Sequence, residues 1–308
     1  MEEVFSPMPR YQDDYQGRHV RREPARKKRH GCLSRLITLA LLLFIIAYPF
    51  LEPRMLETEI HSLTSADLPS DIKQLRIAYL SDIHAGFYFP QSRVDSLIQR
   101  VNALNADLVL LGGDYAVDSD GAIEFFRNLP RISARYGVFA VMGNHDRTAP
   151  ESNLTHLRSA MYNAGVTPLV NEVASVRIGM SDVYIAGIDD VNNGWPDLKS
   201  VASQLRQEDF VIFLSHSPEV TSDALTATDR NGRRGWFDLG LFGHTHGGQI
   251  AVLGQFLGIS KVEGRYEQGW LRENRADILI SRGVGTSVLP IRFLRRPQIH
   301  QITIMAGP

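Results

Sequence analysis

Cysteine is nearly absent from this sequence: Cys32 is the single one in 308 residues. No disulfide can form within the chain, a fact that neither requires nor excludes an oxidising compartment. Net charge is close to zero as well, with 33 Lys and Arg against 34 Asp and Glu. Without a global positive field, a nucleic-acid partner is not expected. No internal repeat stands out, and long apolar runs are scarce. The composition, 44% hydrophobic and 22% charged, suits one large α/β core.

The charge is unevenly spread. Arg18, Arg21, Arg22, Arg26, Lys27, Lys28, Arg29 and Arg35 crowd the N-terminal end, and the apolar run Leu36 to Leu51 follows directly. At about 1.5 Å per residue its sixteen residues cover roughly 24 Å, somewhat less than a hydrocarbon core of about 30 Å. Bilayer thinning and snorkelling arginines would close the difference. No small-x-small cleavage site follows the run, and Pro49 and Pro53 stand where processing would occur. The Arg21-Arg22 pair lacks the apolar context of a twin-arginine signal, and Cys32 follows Arg-His-Gly, unlike a lipobox. The expectation is an uncleaved transmembrane anchor over 36–52, a basic disordered tail over 1–35, a linker over 53–72 and a catalytic domain over 73–308. The positive-inside rule puts the tail in the cytoplasm and the domain outside it.

Five apolar runs read as buried strands: Leu75 to Leu80, Leu108 to Leu111, Val138 to Met142, Val211 to Leu214 and Leu239 to Phe242. Each ends in metal-ligand side chains: Asp82-x-His84, Gly113-Asp114, Gly143-Asn144-His145-Asp146, His216, and Gly243-His244-Thr245-His246. Such residues emerge at the carboxyl ends of strands, where open α/β sheets build their sites. Mixed imidazole and oxygen donors suit two divalent cations about 3.5–4 Å apart. Further strands are expected at Val183 to Gly187, Ile250 to Leu253, Asp277 to Ser281 and Ile299 to Ile304. Helices are expected at Gln91 to Leu104, Gly121 to Ile132, Glu151 to Asn163 and Leu198 to Gln207.

These ordered blocks resemble the calcineurin-like metallophosphoesterase superfamily. Gly243 to Gln249, Gly187-Ile-Asp-Asp190 and Ser281 to Thr286 are similar to its bacterial YkuE-like branch, over roughly residues 75–305. The resemblance implies a four-layer α/β/β/α sandwich of two mixed sheets flanked by helices. It also implies a dinuclear phosphoesterase in which Asp82, His84 and His246 hold one metal and Asn144, His216 and His244 the other. Asp114 would bridge them, a bridging hydroxide would attack, and His145 would protonate the leaving oxygen. Manganese is the expected metal, with iron or zinc as options. In related protein phosphatases an Asp three residues after the bridging one orients that histidine, but here the place is Val117 and the nearest carboxylate is Asp118.

Other residues keep two readings. Asp146 either caps the following helix or holds a ligand in place, and Asp189 and Asp190 read as turn residues. Arg282, Arg292, Arg295 and Arg296 could clamp a phosphate or form a solvated face, and Trp195 and Trp236 could line a pocket or pack. The branch implies a phosphodiester or pyrophosphate substrate, a lipid-linked one such as UDP-2,3-diacylglucosamine included. A nucleotide substrate belongs in the cytoplasm, however, whereas the charge pattern puts the domain outside. A catalytically silent scaffold at the membrane is the alternative, and such a module would be expected to lack ligand residues that are all present here.

Overall fold

Alternation along one strand decides which faces the layers share. In β2 (Gln74–Leu80), Leu75, Ile77 and Tyr79 enter one apolar core while Ala78 and Leu80 enter another, as the two-residue period of a strand requires. The computed structural model describes residues 31–148, 151–252, 255–256 and 264–307. Most of the expected tail, residues 1–30, and Leu253 of an expected strand lie outside them.

The chain divides after Phe44. Up to that point the described residues belong to helix α1 (Gly31–Leu51). At 1.5 Å per residue its 21 residues are about 31 Å long. Among the described residues it is the one helix long and apolar enough to cross a membrane.

From Ile45 onward the chain forms two mixed sheets. The first runs β1 (Glu57–Ser65), β14 (Gln298–Ala306), β2, β3 (Leu108–Leu111), β4 (Val138–Ala140) and β5 (Thr167–Pro168). All its pairs are parallel except β14 with β2. In the second, β12 (Gly269–Glu273) is followed by β13 (Ala276–Ile280), β9 (Leu239–Phe242), β8 (Val211–Leu214), β7 (Ser181–Gly187) and β6 (Glu172–Ile178). Its end pairs are antiparallel and its inner pairs parallel. A short ribbon pairs β10 (Ala251–Val252) with β11 (Gln255–Phe256).

Leu75, Ile77, Leu108 and Leu110 from one sheet and Ile185, Ile212, Leu239 and Leu279 from the other share the central core. The outer face of the first sheet packs on α2 (Gln91–Ala103), α3 (Ser119–Arg127) and α4 (Glu151–Asn163). That of the second packs on α5 (Leu198–Ala202) and α6 (Thr221–Thr226). The result is the four-layer α/β/β/α sandwich. In α2, Val94, Leu97, Ile98 and Val101 supply the buried stripe at the helical period.

Several boundaries differ from expectation for local reasons. Asp118 caps α3 by accepting from the Gly121 N–H at 2.8 Å, so the helix starts at Ser119; it ends at Arg127, where the Asn128 side chain donates to the Glu124 carbonyl at 3.0 Å. Beyond α5, the Asp209 carboxylate accepts from the Arg206 N–H at 2.8 Å, and the chain turns instead of continuing the helix. The stretch 53–72, expected as a linker, contains β1, which pairs with β14 over its whole length.

Candidate metal centre

The strand ends deliver the expected donors to one place. Asp82 and His84 follow β2, Asp114 follows β3, Asn144 and His145 follow β4, His216 follows β8, and His244 and His246 follow β9. Six of the seven expected ligands fall into two triads, Asp82 with His84 and His246, and Asp114 with His216 and His244. Within the first, the His84 and His246 Nε2 atoms are 3.1 Å apart and His246 Nε2 lies 3.6 Å from Asp82 Oδ1. Within the second, His244 Nδ1 is 3.2 Å from His216 Nε2. Two ligands each about 2.1 Å from a shared ion stand roughly 3.0–3.4 Å apart, so these spacings suit a cation.

Asp114 links the triads. Its Oδ2 is 3.3 Å from His216 Nε2 and 3.6 Å from His84 Nε2. Asn144 adds a donor of its own: its buried Oδ1 has no hydrogen-bond partner among the described residues, and an orphaned buried acceptor calls for a cation or water. The donor set therefore fits two divalent ions.

The backbone is bent to make this approach possible. Asp82, His84, Asp114, His244 and His246 have φ values of 55°, 48°, 55°, 68° and 51°, a left-handed region that costs a non-glycine residue about 1 kcal/mol or more. The motif glycines matter for proximity. A Cβ on Gly143 would stand 2.2 Å from Asp114 Oδ1, and one on Gly243 would stand 2.4 Å from Asp82 Oδ2.

Supporting contacts fix each donor. The His216 Nδ1–H donates to the Gly112 carbonyl at 2.8 Å, which aims Nε2 at Asp114. Asp146 holds ligands in place without joining a triad. Its carboxylate accepts from the N–H groups of Asp114 at 2.7 Å, Gly143 at 2.8 Å and Tyr115 at 3.0 Å. It thus clamps the two loops that carry Asp114 and Asn144. Asp190 accepts from the N–H groups of Asn192 and Asn193, and the Asn193 side chain donates to the Asn144 carbonyl at 2.8 Å. The Gly-Ile-Asp-Asp turn thereby positions Asn144. Asp189 forms a buried ion pair with Arg147 at 2.9 Å.

His145 forms a third donor group with His84 and Asp114, which already belong to the two triads, and its ring is edge-on to His84 at 4.9 Å. Its orienting partner is no carboxylate. The Nδ1–H donates to the Val117 carbonyl at 2.8 Å, which leaves Nε2 free to carry a proton toward the site.

Electrostatics distinguish the imidazoles. Burial pushes His84 and His244 down to about 4 and His246 well below its usual range, so all three offer lone pairs at neutral pH. His216 also suffers from burial, but Asp114 and Asp82 raise it to about 10. Burial would raise Asp114 too, yet His216 and His84 hold it below the usual carboxylate range. A cation held here would replace the proton that His216 carries beside Asp114.

The arginines near the C-terminus are engaged by groups of the protein itself, and Arg292 Nη2 reaches His246 Nδ1, on the far side of that ligand ring, at 3.3 Å. Arg282 donates to Gln298 at 2.9 Å and faces Glu57 and Glu59 at 3.4 and 3.3 Å. Arg292 is fully buried, with its guanidinium donating to the carbonyls of Gly285, Arg282 and Arg295. Neither a phosphate clamp nor a solvated face describes it. Trp236 packs in the core of the second sheet with its Nε1–H on the Ala224 carbonyl, whereas Trp195 is exposed.

Fold and site together define a metallophosphoesterase. The chain belongs to the calcineurin-like phosphoesterase family, whose model matches residues 75–248, and the family acts on phosphoesters with divalent metals. It is 31% identical to the uncharacterized metallophosphoesterase YkuE of Bacillus subtilis, covering 83% of this chain and 87% of that one. A Helicobacter pylori metallophosphoesterase is 27% identical over 82% of this chain and 64% of its own length. A transmembrane protein with metallophosphoesterase domain from Bos taurus is 27% identical over 78% of this chain and 55% of its own. That relative is named as a transmembrane protein, and helix α1 is long and apolar enough to cross a membrane.

Proposed function

We propose that the chain is a dinuclear metal-dependent phosphoesterase that hydrolyses a phosphodiester or pyrophosphate bond. The observation that carries this reading is the pair of donor triads joined by the Asp114 carboxylate. Asp82, His84 and His246 would hold one ion, Asn144, His216 and His244 the other, with Asp114 between. Bound ions would lower the pKa of water toward neutrality and offset the charge on the phosphoryl oxygens, with manganese as the proposed metal.

The residues of the chain supply position and a proton. Asp146 fixes the loops of Asp114 and Asn144 through three backbone N–H groups, and His216 is oriented by the Gly112 carbonyl. With Nδ1 committed to Val117, His145 would present its Nε2 proton to the departing oxygen as general acid. The anchor over 36–52 would confine the domain to a membrane surface, where a lipid-linked phosphate is a fitting substrate.

The test is hydrolysis of a chromogenic phosphodiester by the metal-stripped full-length protein in detergent, with and without added manganese. Turnover that depends on manganese supports the reading. Turnover that persists at full rate in chelator contradicts it.

A further inference from the structure

Two loops on the catalytic unit carry exposed apolar side chains and flank the point where the apolar helix ends. One presents Phe87, 91% exposed, and Tyr88; the other presents Val288, 84% exposed, with Leu289 and Leu294. Val288 has φ 61°, an unfavourable conformation for a β-branched residue, so this loop holds its apolar side chains outward against local strain.

Both loops are fastened to the same short stretch of chain. The last turns of α1, from Ile45, belong to the compact unit. The buried carboxylate of Glu52 accepts from the N–H groups of Leu294 at 2.7 Å and Arg295 at 2.6 Å. The Arg292 N–H donates to the Pro49 carbonyl at 3.0 Å, and the Tyr48 ring meets Phe293 at 5.9 Å. On the other side, Arg93 donates to the Pro53 carbonyl at 2.6 Å and to the Tyr88 carbonyl at 3.0 Å. Both exposed loops therefore adjoin residues 48–53. Where α1 crosses a bilayer, those residues stand at the headgroup boundary.

We propose that these two loops form a membrane-docking surface, inserting Phe87 and Tyr88 on one side and Val288, Leu289 and Leu294 on the other into the bilayer that holds α1. Continuity with the exposed apolar face of the helix end, Phe50 and Leu51, selects lipid as the occupant. Arg54, exposed beside it, suits the headgroup layer. The docking surface adjoins the metal centre. Val117 is exposed, lies against Gly86, where a Cβ would meet its Cγ1 at 3.7 Å, and holds His145 through its carbonyl. Docking would bring the His145 side of the site to headgroup depth. The surface contact stands whether or not the catalytic reading does.

The experiment uses full-length protein with Cys32→Ser, reconstituted in phosphatidylcholine vesicles. Single spin labels at Phe87→Cys and Val288→Cys are compared with one at Met180→Cys, a site 82% exposed in the β6–β7 turn. Collision with oxygen is expected to rise, and collision with a water-soluble nickel chelate to fall several-fold, at 87 and 288 relative to 180. Labels at 87 and 288 as open to the chelate as that at 180 would overturn the proposal. So would insertion of one loop without the other. Leu294→Cys serves as a second probe of its loop, and an unchanged thermal midpoint verifies that each labelled protein is folded.

Discussion

At the scale of single residues, the site joins side chains visible in the sequence to main-chain partners that are not. Asp82, His84, Asp114, His216, His244 and His246 carry their chemistry openly, and each follows an apolar strand. The Val117 carbonyl that orients His145 and the N–H groups clamped by Asp146 are chemically anonymous until the fold brings them together. Side-chain identity reveals carboxylates, whereas the backbone oxygen beside His145 leaves no trace in residue type. If His145 is the general acid, His145→Ala should keep its metal and lose about 10²–10⁴ in turnover. Metal analysis beside single-turnover kinetics checks this, and a metal-free variant contradicts it.

Another residue-scale prediction concerns His300, which belongs to neither triad. Its Nε2 meets Ser281 Oγ at 3.0 Å and its Nδ1 meets His61 Nε2 at 3.3 Å. Burial, with His61 and Arg282 nearby, pushes its pKa to about 3 from an ordinary 6.5. Below pH 6.5 the unfolded chain takes up a proton that the folded chain refuses until about pH 3. Stability must therefore fall as pH is lowered through that window. Between pH 7 and 5 the wild type should lose about 2 kcal/mol more than His300→Gln. Denaturant unfolding at the two pH values measures the difference, and equal losses would refute it.

At the scale of elements, the buried strands were legible because they are continuous apolar runs, and the edges were not. β1 reads Glu-Thr-Glu-Ile-His-Ser-Leu-Thr-Ser and lies at the rim of its sheet, so its apolar content is too low to mark a strand. β12, at the rim of the other sheet, is only five residues long and carries Gly, Arg and Glu, so it too lacks a continuous apolar run. What places β1 and the helix end is long-range: Glu52, 240 residues or more from its partners Leu294 and Arg295 in sequence, is fully buried against them. Glu52→Gln should lower stability by about 1.5–3 kcal/mol, the usual worth of a hydrogen bond to a charged group. Urea midpoints at pH 7 would show it. For the same reason, a truncation that begins at residue 54 removes part of the folded unit, whereas one that begins at 45 spares it.

At the scale of the whole molecule, the charge asymmetry and the single cysteine combine into a test of orientation. The basic residues before α1 predict a cytoplasmic N-terminus. Cys32, the only thiol, should resist a membrane-impermeant maleimide in intact bacterial cells expressing the chain and react after permeabilisation. Labelling in intact cells would reverse the orientation and bring cytoplasmic nucleotide substrates within reach.

The central claim is that two cations share the Asp114 carboxylate. It is tested most directly by metal content and phosphodiester turnover, measured together on manganese-reconstituted wild type and Asp114→Asn. The wild type should hold two ions per chain, and the variant should lose affinity for both and orders of magnitude in turnover. Two ions bound equally well by Asp114→Asn would contradict the bridge, and a wild type that binds none would favour the silent scaffold.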